Sequence, residues 1–363
     1  MNKKENTKSA QKNRSTEELG KLFVEKLLVW SKNENKRQMP WKGEKDPYRI
    51  WLSEIILQQT RVEQGLNYYE NFIKTFPNVH ELANAQEEKV FKLWEGLGYY
   101  SRCRNLIAAA KVISKDLKGI FPKDFDSILE LKGVGNYTAS AIASFAYNLP
   151  YAVLDGNVFR VLSRVFNIET AVDSINGKKY FAELAQLILP KNDAAKYNQA
   201  IMDFGAVVCK PYPECKICFF NKHCNAYLHG TQDLLPVKEK KIKIRERWLN
   251  YFLVIYKDEI LVRQRTTKDI WQNLFELLLI ETGQNISPKK LALLFARQYG
   301  LTDFVVSGHE IKQQKLTHQL INFCILKVEI NKKQSVADFF WTKISDLDQY
   351  AFPKTLQEAV RNI

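Results

Sequence analysis

The sequence predicts a mainly α region followed by an α+β domain, and three observations carry that division. Over residues 16–229 apolar side chains recur at helical spacing, and no segment reads convincingly as a strand. A polar, basic stretch at residues 230–247, with Lys238-Glu239-Lys240-Lys241-Ile242-Lys243 inside it, reads as a linker. Over residues 248–363 the period shifts to that of strands interleaved with helices. With 363 residues the chain exceeds one ordinary domain and suits two or three.

Each element has its own signal. Residues 1–15 are rich in Lys, Asn and Ser and read as a disordered basic tail. Leu19, Leu22, Phe23, Leu27 and Trp30 follow helical spacing, and Pro40 breaks the pattern between Arg37 and Trp41. Asp46-Pro47 is a cap followed by a first-turn proline, and predicts a helix through about Tyr69. Helices are expected near Glu87–Trp94, Arg102–Lys115, Phe125–Leu131, Tyr137–Tyr147, Val158–Phe166, Lys178–Leu189 and Lys196–Val208. In the last third, Leu249–Tyr256 and Ile260–Arg263 flank Lys257-Asp258-Glu259 as a β-hairpin. Ser287-Pro288 opens a helix that Gly300 ends, Leu320–Ile330 and Phe339–Thr342 read as strands, and Pro353 opens a final helix.

The formal charge of +14 suits a polyanionic partner such as nucleic acid, or a basic surface with no such partner. No apolar run approaches the ~20 residues needed to span a bilayer. The N-terminus lacks the apolar core of a signal peptide, so the cytoplasm is the expected compartment. Four of the six cysteines fall in the run Cys209-x5-Cys215-x2-Cys218-x5-Cys224, which reads as metal ligation and not as a disulfide framework. Zinc and an iron–sulfur cluster are both candidates, and the spacing alone slightly favours zinc by frequency. Lys210, Lys216 and Lys222 lie among the ligands and would turn positive charge toward a phosphate backbone.

The segment Leu131-Lys132-Gly133-Val134-Gly135-Asn136-Tyr137 joins two helical patterns. Its two glycines permit positive φ and leave N–H groups open at the start of the second helix, which suits a DNA phosphate. An ordinary turn between packed helices accounts for it equally well. Glu54 has Ile50, Trp51, Leu57 and Gln58 as helical neighbours, so it faces a buried surface or a pocket. Burial raises a carboxyl pKa and favours a protonated acid, although an ion-paired structural role is also open. Asp155 precedes the stripe Val158, Val161, Leu162, Val165 and Phe166 and suits an N-cap. Asn157 competes for that cap. A buried Glu and a partly solvated Asp suit cleavage of a glycosidic bond, one protonating the leaving group and the other facing a cationic sugar.

These motifs, with Trp51–Thr60, Gly96-Leu97-Gly98-Tyr99-Tyr100-Ser101-Arg102 and Asp155-Gly156-Asn157, resemble the MutY-type adenine DNA glycosylases. Those enzymes belong to the helix-hairpin-helix superfamily that includes endonuclease III. The resemblance covers residues 19–228 by motifs in order and the C-terminal third more loosely. It implies a six-helix barrel plus iron–sulfur domain, then a nudix-like domain that senses 8-oxoguanine. It implies removal of adenine mispaired with 8-oxoguanine or guanine in double-stranded DNA, by a monomer associated with the nucleoid. It also implies a [4Fe–4S] cluster on Cys209, Cys215, Cys218 and Cys224. The first two cysteines enclose five residues, one fewer than is usual in the family.

By the same resemblance Glu54 is the acid that protonates adenine and then helps activate water, and Asp155 stabilises the sugar cation. Tyr137 and Asn157 orient the site. Gln59 and Tyr99 wedge into the duplex as the base flips. Arg37, Met39 and Trp41 line the adenine pocket, and Gln199 is its amide reader. Lys132, Gly133, Val134 and Gly135 form the phosphate hairpin. In the lyase branch the position of Tyr137 is a lysine nucleophile, so tyrosine implies a monofunctional glycosylase. No R-E-x-x-E-E follows Gly283, so pyrophosphatase chemistry is not expected. Leu316-Thr317-His318 falls where the family places its loop against the oxidised base, with leucine in place of the usual aromatic.

Overall fold

The structure is a computed structural model and describes residues 16–239 and 243–363. The tail expected over residues 1–15 lies outside the described residues. The chain packs as two compact units, Met1–Gln59 with Val112–Lys240, and Thr60–Lys111 with Lys241–Ile363. Among the described residues no helix is long and apolar enough to cross a membrane.

The first unit is helical. α1 (Lys3–Asn33), whose described part begins at Thr16, is followed by α2 (Pro47–Leu57), which Asp46 caps by accepting the Tyr48 N–H. The helix expected through Tyr69 is two helices: α2 ends at Leu57, and α3 (Val62–Thr75) belongs to the second unit. Between them Gln59 adopts a left-handed φ of 56°, which no α-helix can continue through. After α4 (Val79–Asn84), α5 (Glu87–Trp94) and α6 (Ser101–Lys115), the first unit resumes with α7 (Phe125–Leu129) and α8 (Asn136–Tyr147). α9 (Gly156–Val165), α10 (Ile175–Ile188), α11 (Ala194–Val207) and the short α12 (Asn225–Leu228) complete it.

One core ties this unit together. Phe23, Leu27 and Trp30 of α1 meet Val158, Val161, Leu162 and Val165 of α9, Phe181 of α10 and Phe204 of α11. The α9 stripe recurs every three to four residues, so one face of that helix is continuously apolar. Burying each such side chain contributes about 1.5–3 kcal/mol. α8 packs on α2, and its buried run Ala139 to Ser144 is made of small residues apart from Ile142, which lets the two backbones approach. Residues 231–237, expected as linker, lie against this unit: Gln232 and Val237 carbonyls accept from Arg164 and Val172, and Leu235 is buried.

The second unit is built on a seven-stranded sheet of β1 (Arg245–Tyr256), β2 (Glu259–Gln264), β3 (Phe275–Glu276), β4 (Leu278–Thr282), β5 (Phe304–Lys315), β6 (Gln319–Ile330) and β7 (Phe340–Lys343). The order is β3-β2-β1-β6-β5, with β4 also on β1 and β7 also on β2. β1 runs parallel to β6 and is buried without a break over residues 249–255, which suits the mostly apolar sequence there. The sheet packs on α13 (Pro288–Tyr299), where Phe252 and Phe295 stack at 4.4 Å. The chain ends in α14 (Lys354–Arg361). α5 and α6 pack with this sheet's connections: Glu95 accepts from the Phe352 N–H and from Gln357, and Arg104 donates to the Gln272 carbonyl.

Candidate active site and cysteine cavity

Glu54 sits mid-way along α2 in a run where residues 50–56 are all buried, and it is itself 8% exposed. Loss of hydration pushes its carboxyl pKa up to about 7. The Tyr137 phenol hydrogen-bonds that carboxyl and pulls the value down, while the charge of Asp155 pushes it up. Tyr137 is the second residue of α8, and burial beside the two carboxylates holds its own pKa well above the ordinary tyrosine range. The phenol therefore keeps its proton and donates.

Asp155 is the N-cap of α9: its Oδ1 accepts the Val158 N–H at 2.7 Å and its Oδ2 accepts from Asn157 Nδ2 at 2.7 Å. Asn157 does not compete for the cap; it lies within the first turn and grips the free oxygen of the capping carboxylate. Burial raises the Asp155 pKa, against the hydrogen bonds from Val158 and Asn157 and the Arg160 charge. Arg160 then donates through Nη2 to Asn157 Oδ1 at 2.7 Å and to the Gly205 carbonyl at 2.8 Å, and through Nε to the Cys209 carbonyl at 2.8 Å. The close approach of α11 requires Gly205, where a Cβ would stand 2.7 Å from Asn157 Cβ.

A cavity of about 650 Å³ opens over Glu54. Met39, Trp41 and Gln199 line it with Glu54, so four of the residues singled out from the sequence share one pocket. Ile50 and Met202 supply further apolar wall, and Lys32, Lys42, Lys45 and Lys196 supply positive charge. An apolar pocket with a few convergent polar groups suits a flat heterocycle. Arg37 is not among the lining residues; its Nη1 is bound at 2.9 Å to Asp203 instead. Asp203, fully buried on α11, was not singled out from the sequence, and its one available signal was the four-residue spacing from Gln199.

In the hairpin only Gly133 adopts positive φ, at 81°; Gly135 is extended at −108° and precedes α8. Lys132, Gly133 and Gly135 are exposed, while Val134 is buried and anchors the turn. α8 has no side-chain cap, so its first N–H groups remain available to an anion. Gln59 is exposed on its left-handed turn. Tyr99, also left-handed at φ 47° and 42% exposed, has the Arg102 guanidinium 5.5 Å from its ring. Its hydroxyl hydrogen-bonds Thr317 Oγ1, and Thr317 and His318 are both exposed in the turn between β5 and β6.

Cys209, Cys215, Cys218 and Cys224 line one cavity with Arg164, Phe204 and Phe220. Arg164 is 2% exposed; its Nη1 lies 3.5 Å from Cys209 Sγ and donates to the Lys210 carbonyl at 2.6 Å. Burial pushes the Cys218 thiol up to about 12 and the Cys224 thiol to about 11, so ligation must displace protons. Among the described residues no three His, Cys, Asp or Glu side chains converge on a point that would hold a single metal ion. Four thiols around one cavity, with the Arg164 guanidinium beside Cys209, suit a thiolate-bound metal group.

Comparison with known proteins agrees with this geometry. Residues 52–190 match the HhH-GPD superfamily base excision DNA repair proteins, and residues 250–362 match the NUDIX domain. The chain is 38% identical over 259 residues to the adenine DNA glycosylase of Buchnera aphidicola subsp. Baizongia pistaciae, spanning 70% of this chain and 72% of that protein. It is 38% identical over 223 residues to the Homo sapiens adenine DNA glycosylase, spanning 59% of this chain and 41% of that protein. A solved structure of a thermostable thymine-DNA glycosylase aligns with a TM-score of 0.55 at 28% identity, over 59% of this chain and 99% of the other. The chain thus belongs to the adenine DNA glycosylases, base excision repair hydrolases of N-glycosyl bonds, and joins a helix-hairpin-helix region to a nudix-like α+β domain.

Proposed function

We propose that this enzyme removes adenine mispaired with 8-oxoguanine, or with guanine, from double-stranded DNA, and that it does so as a monofunctional glycosylase. The observation that carries the reading is Glu54, a carboxyl with a pKa of about 7 at a base-sized cavity, coupled to Tyr137 and Asp155. Protonated Glu54 donates to the departing adenine ring and, once ionised, accepts a proton from the attacking water. Asp155, gripped by Asn157 and the Val158 N–H, stabilises the oxocarbenium-like sugar. Tyr137 holds the Glu54 carboxyl in place and offers no amine for a Schiff base.

Gln59 and Tyr99 act as wedges: each is exposed on a left-handed turn, a strained backbone that aims a side chain outward. The hairpin around Gly133 and the open end of α8 hold a phosphate. Thr317 and His318 meet the oxidised base. A [4Fe–4S] cluster on the four cysteines completes the helical region and would order the basic loop around Lys216 and Lys222. We place the enzyme in the cytoplasm, as a monomer working on nucleoid DNA.

Single-turnover base release from an adenine:8-oxoguanine duplex tests the reading. Strand scission only after alkali is expected. Scission without alkali indicates a lyase, and tight binding without product indicates a lesion-binding protein. Iron and sulfide analysis tests the cluster, with four irons per chain expected and zinc as the contrary result.

A further inference from the structure

We propose that Asp203 is a specificity-positioning residue, which fixes the hydrogen-bonding face that Gln199 presents to the base. The proposal rests on the adenine-release reading above and adds to it the group that sets the pocket's polarity.

Asp203 is fully buried, and its side-chain partners among the described residues are all donors. Its Oδ1 accepts from Arg37 Nη1 at 2.9 Å and from Gln199 Nε2 at 3.0 Å. Its Oδ2 accepts from Asn35 Nδ2 at 2.8 Å and from Lys42 Nζ at 3.0 Å. Lys42 also donates to the Arg37 carbonyl at 2.9 Å. The carboxylate thus ties down both ends of the segment that carries Met39 and Trp41, and it holds the amide of Gln199 one helical turn away.

An ionised carboxylate only accepts. It therefore binds the NH₂ end of the Gln199 amide and cannot bind the carbonyl end. One amide hydrogen is consumed there. The cavity-lining Gln199 is left to offer its carbonyl oxygen and second N–H side by side, an acceptor next to a donor. That pair complements the N6 amino group and N7 of adenine. It opposes a 6-oxo purine, whose O6 and N7 are both acceptors. The cations beside Asp203 strengthen the arrangement, since the ion pairs with Arg37 and Lys42 hold the carboxylate in place.

The test uses the full-length, cluster-containing enzyme and duplexes with adenine or hypoxanthine opposite 8-oxoguanine. Single-turnover release rates give an adenine-over-hypoxanthine ratio for each variant. Asp203→Asn, whose amide both donates and accepts, frees Gln199 to turn over, and the ratio is expected to fall roughly tenfold. Asp203→Glu keeps an acceptor-only group and is expected to retain the ratio even where both rates fall. In a Gln199→Ala background Asp203→Asn is expected to leave the ratio unmoved. Equal loss on both bases in Asp203→Asn, loss of the ratio in Asp203→Glu, or a persisting effect in the Gln199→Ala background would each overturn the proposal. Wild-type enzyme that releases no adenine would overturn the glycosylase reading itself, whereas a wild type that prefers adenine isolates the test to Asp203.

Discussion

The phenol of Tyr137 on α8 hydrogen-bonds the Glu54 carboxyl on α2, and it lowers a pKa that burial has raised. Burial wins, leaving the carboxyl near 7 and half protonated at neutral pH. An acid that must be protonated to act loses activity as pH rises through that value. The rate of base release should therefore fall above about pH 7. Tyr137→Phe removes the lowering hydrogen bond, so the alkaline limb should move to higher pH while the maximal rate drops. A pH–rate profile of single-turnover release checks both effects, and an unmoved limb would deny the coupling.

The same shift has a consequence for stability. The folded carboxyl binds its proton more tightly than the unfolded one, whose pKa is near 4.5. Its favourable contribution is complete below that value and is lost as pH rises through about 7. A shift of this size corresponds to about 3 kcal/mol. Glu54→Gln carries no charge and escapes the loss. Its unfolding free energy should match wild type near pH 4 and exceed it by about 3 kcal/mol near pH 8. Urea titrations at the two pH values read the difference directly.

Glu54 was legible in the sequence because its helical neighbours are apolar, which forces a carboxyl into a dry setting. The α9 stripe and the Asp46-Pro47 cap were legible for similar local reasons. The break at Gln59 was not, because nothing in Gln-Gln-Thr-Arg marks a left-handed residue. β5 escaped notice because its side chains are exposed or half-exposed throughout, so no alternation reaches the sequence. Asp203 escaped because Asn35, Arg37 and Lys42 lie 168, 166 and 161 residues away in the chain, distances that no local pattern spans, and Gln199 alone is a near neighbour.

Asp155 caps α9 and, in the proposed mechanism, also stabilises the sugar cation, and substitution can separate the two. Asparagine is a good N-cap, so Asp155→Asn should retain the bond from the Val158 N–H and fold normally. It removes the charge proposed to face the sugar. Base release should fall by at least a hundredfold while duplex binding stays within a few-fold. Asp155→Ala loses the cap as well and should cost about 1 kcal/mol of stability. Wild-type-like release by Asp155→Asn would remove Asp155 from the mechanism.

Arg160 links the same aspartate to the cysteine loop, through Asn157 on one side and the Cys209 carbonyl on the other. Arg160→Gln cannot span both partners. The expected result is slower base release together with faster loss of the cluster on exposure to a chelator. Loss of iron with unchanged release by the remaining holoenzyme would show that the link is purely structural. Visible absorbance and single-turnover kinetics on the same preparation separate the two.

Tyr99 and Thr317 come from distant parts of the sequence yet share a hydrogen bond, and the tyrosine proposed as a wedge thereby restrains the loop proposed to meet the oxidised base. Arg102, packed against Trp94 and Tyr99, holds the ring from its other side. Tyr99→Phe keeps the ring and its stacking but frees Thr317. A neutral hydrogen bond of this kind contributes about 0.5–1.5 kcal/mol, or roughly two- to tenfold in an equilibrium or rate. The preference for adenine opposite 8-oxoguanine over adenine opposite guanine should fall by that factor. Thr317→Val should give the same fall, and the double variant should add little to either, because both substitutions remove one bond. Additive losses in the double variant would mean that the two residues act on the base independently.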